Sequence, residues 1–518
     1  MSAIYTFGPF RLDVRNDVLF RGTEPVAVGP RAVAVLRVLI DSPGTLISKS
    51  ALIEAVWNGR AIEESNLAVQ VAALRRALAQ GTDEHRIDTL PRRGYRFVGP
   101  VTREDRHVVA APNHKNAVAV ISPYKPAVAV LPLTNLGGRP DEEGFAEGLA
   151  EEIVTALARC SGLSVIARTS SRSHQGGAVD PVGRDLGARY VLKGSVRRSG
   201  DRLRFASQLI DATNGLHIWA ERYEGDTHDA FGLQDLFTEA VVAAIEPKIE
   251  RAEIERLKHR PAVNFDTYEL HLRSLQLTHE FTRESFAAAS RLLEHAHLID
   301  PSDGTIMALA AYCHAERSTQ GWAQDLETES ARGLDLAERA IEAVKDDANV
   351  FWMTAYAILR LRQDAHNARA LAQHSIRLNP NSTMALAVAG RIEHALGNNG
   401  TALELLGRAQ RLSAFNPRGW FVATGLANAH MSVGDFGGAL AAAMVALRQN
   451  PRSAVAHRVA AASLAKLGRQ EQAADAVRNL LVIDPDLTVT RLDAQRTYVM
   501  GGWWSEFLAA LRLAGLPR

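Results

Sequence analysis

The sequence has very little cysteine and no long apolar run. Cys160 and Cys313 are the only cysteines among 518 residues and lie far apart in the chain, so neither a disulfide framework nor a cysteine metal site is indicated. The longest apolar stretches, such as Ala439–Leu447, are about half of the roughly 18 residues that a membrane-spanning helix requires. Because the amino terminus also lacks the pattern of a secretory leader, we expect a cytoplasmic protein without a membrane partner.

The common sequence motifs of catalysis are missing as well. The chain contains no Gly-x-x-x-x-Gly-Lys phosphate loop, no Gly-x-Ser-x-Gly nucleophile elbow and no His-Glu-x-x-His zinc pair. Histidines are frequent between His271 and His314, but His295 and His297 are two residues apart and point to different sides of a helix. We therefore expect no enzyme activity, no cofactor and no metal site.

Charge of one sign is also scarce over the whole chain, since the formal net charge is +1 with 23% charged residues. Residues 1–100 hold 13 Lys/Arg and 10 Asp/Glu, so this part is slightly basic and the remainder is slightly acidic. Any surface for nucleic acid is therefore local. The length predicts three or more domains.

A helix with a basic end is predicted between Glu63 and Ala79. Its apolar residues recur at steps of four, three and four, which gathers them into one stripe along a helix; these residues are Leu67, Val71, Leu74 and Leu78. The opposite face carries Val69, Ala73 and Arg76. Such a helix alone is most often a core helix with a solvated face, so its function depends on what surrounds it.

Basic residues cluster in this helix and in a hairpin-like run that follows it. Five arginines and no acid fall within residues 70–80 and 90–98, namely Arg75, Arg76, Arg92, Arg93 and Arg96. This density of positive charge is what neutralising DNA phosphates requires. Short extended runs, a helix that starts at Pro30 and a second helix over Ser48–Trp57 precede it. That order predicts a helix-turn-helix with a terminal hairpin.

This segment resembles the OmpR/PhoB-type winged-helix domain, which we place at residues 1–101. The resemblance rests on Ile47–Trp57, the helix ending Leu74–Leu78 and the wing Leu90–Val98. The wing, with Pro91 and Arg93-Gly94-Tyr95, is similar to that of the CadC-like regulators. In the two-component regulators a receiver domain precedes the module, whereas here the module begins near Met1, so we expect no control by aspartyl phosphorylation.

The resemblance implies a DNA site on this helix and wing. The helix would enter the major groove, with Asn66 and Gln70 reading base edges and Val69 and Ala73 packing on thymine methyl groups. Arg76 would contact a phosphate or guanine, while Arg92 and Arg93 would reach the backbone or minor groove. The basic residues Arg75 and Arg96 complete the predicted DNA-binding set. Because one module buries a modest interface, we expect a homodimer on double-stranded DNA.

A linker and a small α+β domain are predicted next. Residues 102–126 are interrupted by Pro112, Pro123 and Pro126 and are predicted to form a linker. Residues 127–255 alternate strands and helices, including an antiparallel pair over 190–197 and 203–210. The runs Ala129–Asn135, Tyr190–Arg198 and Trp219–Tyr223 resemble the TolB amino-terminal-like domain, which implies a sensory or assembly role and no enzyme activity.

The remainder, residues 262–518, is predicted to be an α-solenoid of tetratricopeptide repeats with a carboxyl-terminal cap. Asn/Asp-Pro pairs recur at 300, 379, 416, 450 and 484, and the last two gaps are 34 residues, the period of that repeat. Such repeats stack around a concave groove, which predicts a protein or peptide partner there.

The sequence thus predicts a multidomain, mainly α protein, in the order winged helix-turn-helix, small α+β domain and α-solenoid. The predicted function is a sequence-specific DNA-binding transcriptional regulator that receives a signal or partner through the middle and repeat domains. The alternative is a repeat-based interaction scaffold with secondary DNA binding. A stoichiometric partner that is retained with or without DNA would favour the scaffold.

Overall fold

The computed structural model describes most of the chain and divides it into two compact units. The described residues are 2–13, 18–21, 24–26, 28–57, 64–79, 86–90, 93–106, 125–137, 140–166, 183, 185–226, 229–257, 266–413, 416–494 and 503–518. The first unit takes its residues from 1–123, with 264–268 and 295–301, and the second takes the rest. Within the described ranges, no helix has both the length and the hydropathy that spanning a membrane requires.

Among the described residues between 2 and 106, the first unit combines three helices with two small sheets. Its strands are β1 (Ser2–Phe7), β2 (Phe10–Asp13), β3 (Val18–Arg21), β4 (Glu24–Pro25), β5 (Ile87–Leu90), β6 (Gly94–Phe97) and β7 (Thr102–Arg106), and its helices are α1 (Pro30–Asp41), α2 (Lys49–Trp57) and α3 (Glu64–Ala79). The larger sheet has the order β4-β3-β2-β1-β7, and β5 pairs with β6 as a separate hairpin. This is the winged helix-turn-helix that the sequence predicts.

Local sequence accounts for these elements. Pro30 occupies the first turn of α1, where its missing N–H costs nothing, and the Ser48 hydroxyl accepts a hydrogen bond of 3.2 Å from the backbone N–H of Ala51 at the start of α2. The predicted stripe of α3 is at most 2% exposed throughout; its members are Leu67, Val71, Leu74 and Leu78. They pack in one core with Leu36 and Phe97.

One boundary differs from the sequence prediction. Residues 102–106, which we predicted as the start of the linker over 102–126, form strand β7 and pair antiparallel with β1, with Thr6 opposite Thr102. The run Thr-Arg-Glu-Asp-Arg has no apolar alternation, because β7 lies at the edge of its sheet. Hydrophobic periodicity therefore cannot detect it. Residues 107–124 of the predicted linker lie outside the described residues.

The second unit begins with a mixed sheet. Its strands are β8 (Ala127–Val130), β9 (Thr134–Asn135), β10 (Ser164–Ile166), β11 (Tyr190–Ser199), β12 (Arg202–Asp211) and β13 (His217–Asp226), with helices α4 (Pro140–Leu157) and α5 (Ala230–Leu257). The strand order is β10-β8-β11-β12-β13, parallel at the first two pairings and antiparallel at the others. The predicted hairpin is confirmed, with Ser199 opposite Arg202 at its turn. Phe205 of β12 and Phe237 of α5 stack at 5.6 Å in the core.

From Thr267 onward the described chain is a series of helices with short connections. They are α6 (Thr267–Glu280), α7 (Arg283–Ile299), α8 (Gly304–Thr319), α9 (Leu326–Ala343), α10 (Ala348–Ala357), a π-helical turn (Ile358–Arg362), α11 (Ala365–Leu378), α12 (Thr383–Ala395), α13 (Asn399–Leu412), α14 (Gly419–Ser432), α15 (Phe436–Gln449), α16 (Ala454–Lys466), α17 (Gln470–Ile483), α18 (Val489–Ala494) and α19 (Trp503–Leu513). Consecutive helices pack in pairs, and α14 also packs on α12 and on α16. This is the predicted α-solenoid.

The repeated residues end and separate these helices. Asn379, Asn450 and Asp484 are the carboxyl-terminal caps of α11, α15 and α17, where the following proline stops the helix. The turn glycine between the helices of a pair has φ between +76° and +82°, a conformation that costs glycine nothing; these are Gly397, Gly434 and Gly468. The alanine five residues later is fully buried in each pair, at Ala402, Ala439 and Ala473.

Both cysteines are buried and free. Cys160 follows α4, where its Sγ accepts a hydrogen bond of 3.8 Å from Asn379 Nδ2, and Cys313 lies fully buried inside α8. Burial raises the pKa of each thiol well above its ordinary value. Buried thiols that keep their protons are unreactive.

A partly buried carboxyl of the second unit, that of Glu250, makes stability depend on pH. Burial raises the pKa of Glu250 to about 7, with Arg418 lowering it and Glu246 raising it. Burial and Arg418 lower the pKa of His279 to about 3, and its Nε2 lies 3.5 Å from Glu250 Oε1. Between these values both groups are neutral in the folded protein. The contact therefore joins two uncharged groups and is not an ion pair.

We expect Glu250→Gln to stabilise the protein at pH 8 but not near pH 4.5. A glutamate in the unfolded chain ionises near pH 4.5, whereas folded Glu250 keeps its proton up to about pH 7. The folded state thus binds more protons in that window, and wild-type stability falls as pH rises through it. The glutamine avoids this loss, which is worth about 1–3 kcal/mol. Denaturant unfolding at the two pH values measures it.

Glu404→Gln, at an exposed position of α13, is the control for loss of one carboxylate. It should leave the difference between the two pH values close to that of the wild type. Equal effects of Glu250→Gln at pH 4.5 and pH 8 would show that this carboxyl is already ionised in the folded protein.

Candidate nucleic-acid interface

Helices α2 and α3 form the helix-turn-helix, and the wing hairpin lies against the segment before α2. The backbone groups of Ile47 and Tyr95 exchange hydrogen bonds of 2.9 and 3.0 Å, which joins the hairpin to the residues that lead into α2. The Arg31 guanidinium of α1 donates to the carbonyl oxygen of Val56 at 2.7 Å and holds the end of α2. No sequence pattern predicts this contact, because it depends on the fold.

The face of α3 opposite its buried stripe is open. Val69 is 44% exposed, Arg76 is exposed, and Asn66 and Ala73 are partly exposed. Asn66, Val69, Ala73 and Arg76 are three, four and three residues apart, so they lie on one face of the helix. The structure thus brings together an amide, two small apolar groups and a cation on a surface of the size that a major groove admits.

Gln70 does not share that exposure. We predicted it on the flank of the helix, but it is 4% exposed. Its amide Nε2 donates a hydrogen bond of 3.1 Å to the carbonyl oxygen of Ile299 within the first unit. The periodicity of α3 cannot reveal this, because residues 295–301 are more than 200 positions away in the sequence.

Arg75 is turned toward the wing rather than toward solvent. Its Nε and Nη2 donate to the carbonyl oxygen of Ile87 at 3.0 and 2.7 Å, and Nη2 also donates to the Thr89 hydroxyl at 2.6 Å. One guanidinium therefore joins the second half of α3 to strand β5 and fixes the wing relative to the helix. Planar guanidinium groups suit such forked contacts. Arg75 is therefore a positioning residue for the wing of the candidate site.

The other wing cations differ in their surroundings. Arg96 Nη2 lies 2.9 Å from Asp88 Oδ2 across the β5–β6 pairing, with both side chains about 40% exposed. Such a pair stabilises by about 0–1 kcal/mol and offsets part of the positive charge. Arg93 is exposed at the turn, and its backbone N–H bonds to the carbonyl oxygen of Leu90 at 3.0 Å. Arg92 lies outside the described residues.

Gly94 sets the shape of the wing. Its φ is +145°, and a Cβ added there would lie 1.9 Å from the carbonyl oxygen of Ile47. A side chain of any size is therefore excluded where the hairpin meets the residues before α2.

Comparison with known proteins gives this domain a family. Residues 22–97 match the family model described as "Transcriptional regulatory protein, C terminal". These residues form an OmpR/PhoB-type DNA-binding domain. The match covers both helices of the helix-turn-helix, the wing and the exposed face of α3, so every described residue of the candidate site falls within the OmpR/PhoB-type domain.

Three similar proteins extend the comparison. A Rhizobium meliloti (strain 1021) protein named as a candidate adenylate cyclase 3 is 37% identical over 243 residues, which cover 46% of this chain and 41% of that protein. Transcriptional regulator HilA of Salmonella typhimurium is 29% identical over 171 residues, covering 33% and 28%. The solved DNA-binding domain of E. coli CadC is 22% identical, with a TM-score of 0.18, and covers 19% of this chain and 94% of that one. The chain thus spans less than half the length of these two curated relatives.

Proposed function

We propose that the protein is a sequence-specific transcriptional regulator that binds double-stranded DNA through its OmpR/PhoB-type domain. The observation that carries this proposal is the exposed face of α3, with Val69 44% exposed and Arg76 exposed beside it, in the same domain as exposed Arg93 of the wing. A helix that leaves an apolar group open to water beside an amide and a cation presents the groups that read base edges.

In the proposed complex α3 lies in the major groove. Asn66 hydrogen-bonds a base edge, Val69 and Ala73 contact thymine methyl groups, and Arg76 binds a phosphate or a guanine. Arg93, with Arg92, contacts the backbone or the adjacent minor groove. Arg75 and Arg96 contribute to DNA binding mainly by holding the wing in position. Gln70 reads a base only if its bond to Ile299 opens.

We propose that the repeat region binds a protein or peptide, that the protein acts as a homodimer on repeated half-sites in the cytoplasm, and that it has no enzyme activity of its own. The domain limits at 101, 127 and 262 and the TolB-type assignment of the middle domain stay predictions. The mixed sheet with α4 and α5 agrees with an α+β module there.

Selection from fragmented genomic DNA of the source organism tests this function. The purified full-length protein should retain fragments that share one motif, and Arg76→Ala, Arg93→Ala should lose that enrichment. Sequencing the retained fragments gives the motif. Retention of unrelated fragments by both proteins, together with a stoichiometric protein partner recovered from lysate without DNA, would favour the interaction scaffold instead.

On the selected motif, we expect Arg92→Ala, Arg93→Ala to weaken binding and to lower its dependence on salt. Each lost phosphate contact reduces the slope of log affinity against log salt by about 0.9, so the double variant should lose about 1–2 in slope. Fluorescence anisotropy at several salt concentrations measures it. Because phosphate contacts carry no sequence information, the affinity for DNA of unrelated sequence should fall by the same factor.

The matched control removes two arginines from the second unit. Arg452→Ala, Arg478→Ala lowers the net charge by the same amount at exposed positions, and the slope should remain that of the wild type. If both double variants change the slope alike, overall charge and not the wing sets the affinity.

A further inference from the structure

Strand β13 is an open edge of the mixed sheet in the second unit. It is ten residues long, His217–Asp226, and within the described part of the sheet it pairs with β12 on one side and with no strand on the other. A long unpaired edge is a template for another strand, and proteins commonly block it with proline, lysine or a shorter strand. β13 contains neither proline nor lysine. The edge can therefore accept a further strand.

The turn of the neighbouring hairpin determines which backbone groups of β13 face outward. Gly200 and Asp201 form a two-residue turn between the paired Ser199 and Arg202, with Gly200 at φ +61°. Such a turn is closed by a hydrogen-bonded pair, and bonded pairs then alternate along the strands. The even-numbered residues of β12 therefore bond to β11, and the odd-numbered residues bond to β13.

Two hydrogen bonds at the far end of β12 agree with this alternation. The backbone N–H of Asp211 donates to the carbonyl oxygen of Leu216 at 2.9 Å, on the side of β13. The backbone N–H of Ala212 donates to the carbonyl oxygen of Arg189 at 2.7 Å, on the side of β11.

Three residues of β13 consequently direct their backbone N–H and C=O groups toward the open edge. They are Ala220, Arg222 and Glu224, because Tyr223 between them lies opposite Phe205 and bonds to β12. All three are exposed, so the edge is open to solvent at these positions. Their side chains share the outer face of the sheet, whereas Tyr223 packs on the inner face against the core of α5.

The charges on this edge fit a second copy of the same strand. When a two-fold axis relates two antiparallel copies of β13, the residue on the axis lies opposite itself. An axis through Tyr223 places Arg222 of each copy opposite Glu224 of the other, and both residues present outward backbone groups. An axis through Arg222 or through Glu224 would place like charges opposite each other, which is destabilising. The edge is therefore self-complementary when the axis passes through Tyr223.

The same arrangement extends an ion pair that the single chain already contains. Arg222 lies opposite the uncharged Ala206 in its own sheet. Glu224 lies 2.7 Å from Arg204, and both of these side chains are at least 39% exposed. In the two-fold pair each Glu224 would lie between its own Arg204 and Arg222 of the other copy. Networks of this kind contribute more than isolated surface pairs.

An exposed aromatic side chain lies close to the same edge. Phe231, in the first turn of α5, is 81% exposed. The start of α5 packs at the end of β13, where a Cβ added to Gly225 would lie 2.0 Å from Cδ2 of Leu233. Aromatic side chains are enriched at protein interfaces, so Phe231 offers apolar surface beside the strand.

We infer that two copies of this chain dimerise through β13, paired antiparallel with Tyr223 on the two-fold axis. Main-chain hydrogen bonds would supply affinity, and the Arg222–Glu224 contacts would set the register. The inference gives the homodimer of the proposed function its interface, and it rests on that function only for the role of the dimer on DNA.

Sedimentation velocity of the full-length protein without DNA tests the inference. We expect the mass to change from that of one chain to that of two as the concentration rises through about 1–100 µM. Hydrogen–deuterium exchange over the same range should slow in peptides of β13. It should stay constant in peptides of β11, which already has strands on both sides.

Charge reversals test the register. Arg222→Glu places glutamates opposite each other and Glu224→Arg places arginines opposite each other, so each variant alone should dimerise about tenfold more weakly or worse. An equimolar mixture of the two should recover the dimer, because both contacts then join a glutamate to an arginine. Arg197→Glu, at an exposed position of β11, makes the same charge change away from the edge and should dimerise like the wild type.

Ala220→Pro tests the backbone contact without a change of charge. The outward N–H of Ala220 is not part of the β12–β13 pairing, and proline is tolerated at such a position of an edge strand. Because the variant lacks one donor toward the other copy at two symmetric places, it should dimerise about tenfold more weakly. The melting temperature of each variant shows that it has folded.

A protein that stays monomeric at about 100 µM overturns the inference and leaves the edge to an extended peptide of another protein. A dimer is also against it if β13 exchange does not slow, if folded Arg222→Glu and Ala220→Pro dimerise normally, or if the mixture does not recover. A β13 dimer that binds no DNA would refute the proposed regulator alone, whereas a monomer that binds the selected motif would refute the interface alone.

Discussion

Replacing Gly94 with alanine should displace the wing and abolish DNA binding. A Cβ at this position would lie 1.9 Å from the Ile47 carbonyl oxygen and 2.9 Å from the Cα of Ser48, both backbone atoms that cannot rotate away. The φ of +145° is itself costly for alanine, by about 1–3 kcal/mol, and relieving the overlap costs about 1–3 kcal/mol more. The paired hydrogen bonds between Ile47 and Tyr95 would then be lost.

Hydrogen–deuterium exchange and DNA affinity measure this result together. In Gly94→Ala, peptides covering Ile87–Leu90 and Gly94–Phe97 should exchange faster, and affinity for the selected motif should fall to that of unrelated DNA. Gly44→Ala is the control, since its φ is +77° but nothing lies within 4 Å of the added Cβ. It should cost about 1–2 kcal/mol and keep the wing. Normal exchange in both variants would refute the packing described for Gly94.

Replacing Glu253 with alanine should destabilise the second unit by about 3–5 kcal/mol. Glu253 is 1% exposed, and its carboxylate accepts hydrogen bonds from the Tyr190 hydroxyl at 2.6 Å, from Arg189 at 2.9 Å and from Arg256 at 2.7 Å. The carboxylate joins α5 to the start of β11. Its removal leaves a buried hydroxyl and two cations without their shared acceptor.

The pH dependence of this loss has a defined sign. Burial raises the pKa of Glu253, but the Tyr190 hydroxyl and the arginines outweigh burial and lower the pKa below its ordinary value. A carboxyl with a lowered folded-state pKa contributes stability above its unfolded pKa and loses it as pH falls through the folded value. The difference between wild type and Glu253→Ala should therefore be full at pH 7 and shrink below about pH 4.5.

Denaturant unfolding followed by exchange of peptides in β11 and α5 measures this difference. Glu224→Ala is the matched control, because Glu224 pairs with Arg204 at 2.7 Å but both side chains are at least 39% exposed. That surface pair should contribute about 0–1 kcal/mol. Similar losses from the two substitutions would show that burial does not strengthen the Glu253 network.

Features set by local pattern were predictable from the sequence. The apolar stripe of α3, Pro30 at the start of α1 and the turn glycines of the repeats each follow from steric or periodic rules that act within one element. The hairpin at Ser199–Arg202 was predicted for the same reason. These rules are sufficient to predict the fold and the exposed face of α3.

Features set by contacts between distant residues were not predictable. Strand β7 is recognised only by its pairing with β1, and Gln70 is buried by residues that lie far along the chain. Arg75 reads as a free basic residue in the sequence, yet its partners on β5 make it a positioning residue. Arg360 and Arg391 line one cavity of the repeat region but come from different helical segments. No single sequence motif therefore predicts that they lie close together.

Because the thiols of Cys160 and Cys313 are buried, neither native cysteine competes in labelling chemistry. Maleimides react with thiolates, and buried groups with raised pKa values supply almost none at neutral pH. A single cysteine introduced at an exposed position of α3 or of a repeat helix would therefore carry a dye or spin label at one defined site. Distance measurements in solution therefore do not require removal of the native cysteines.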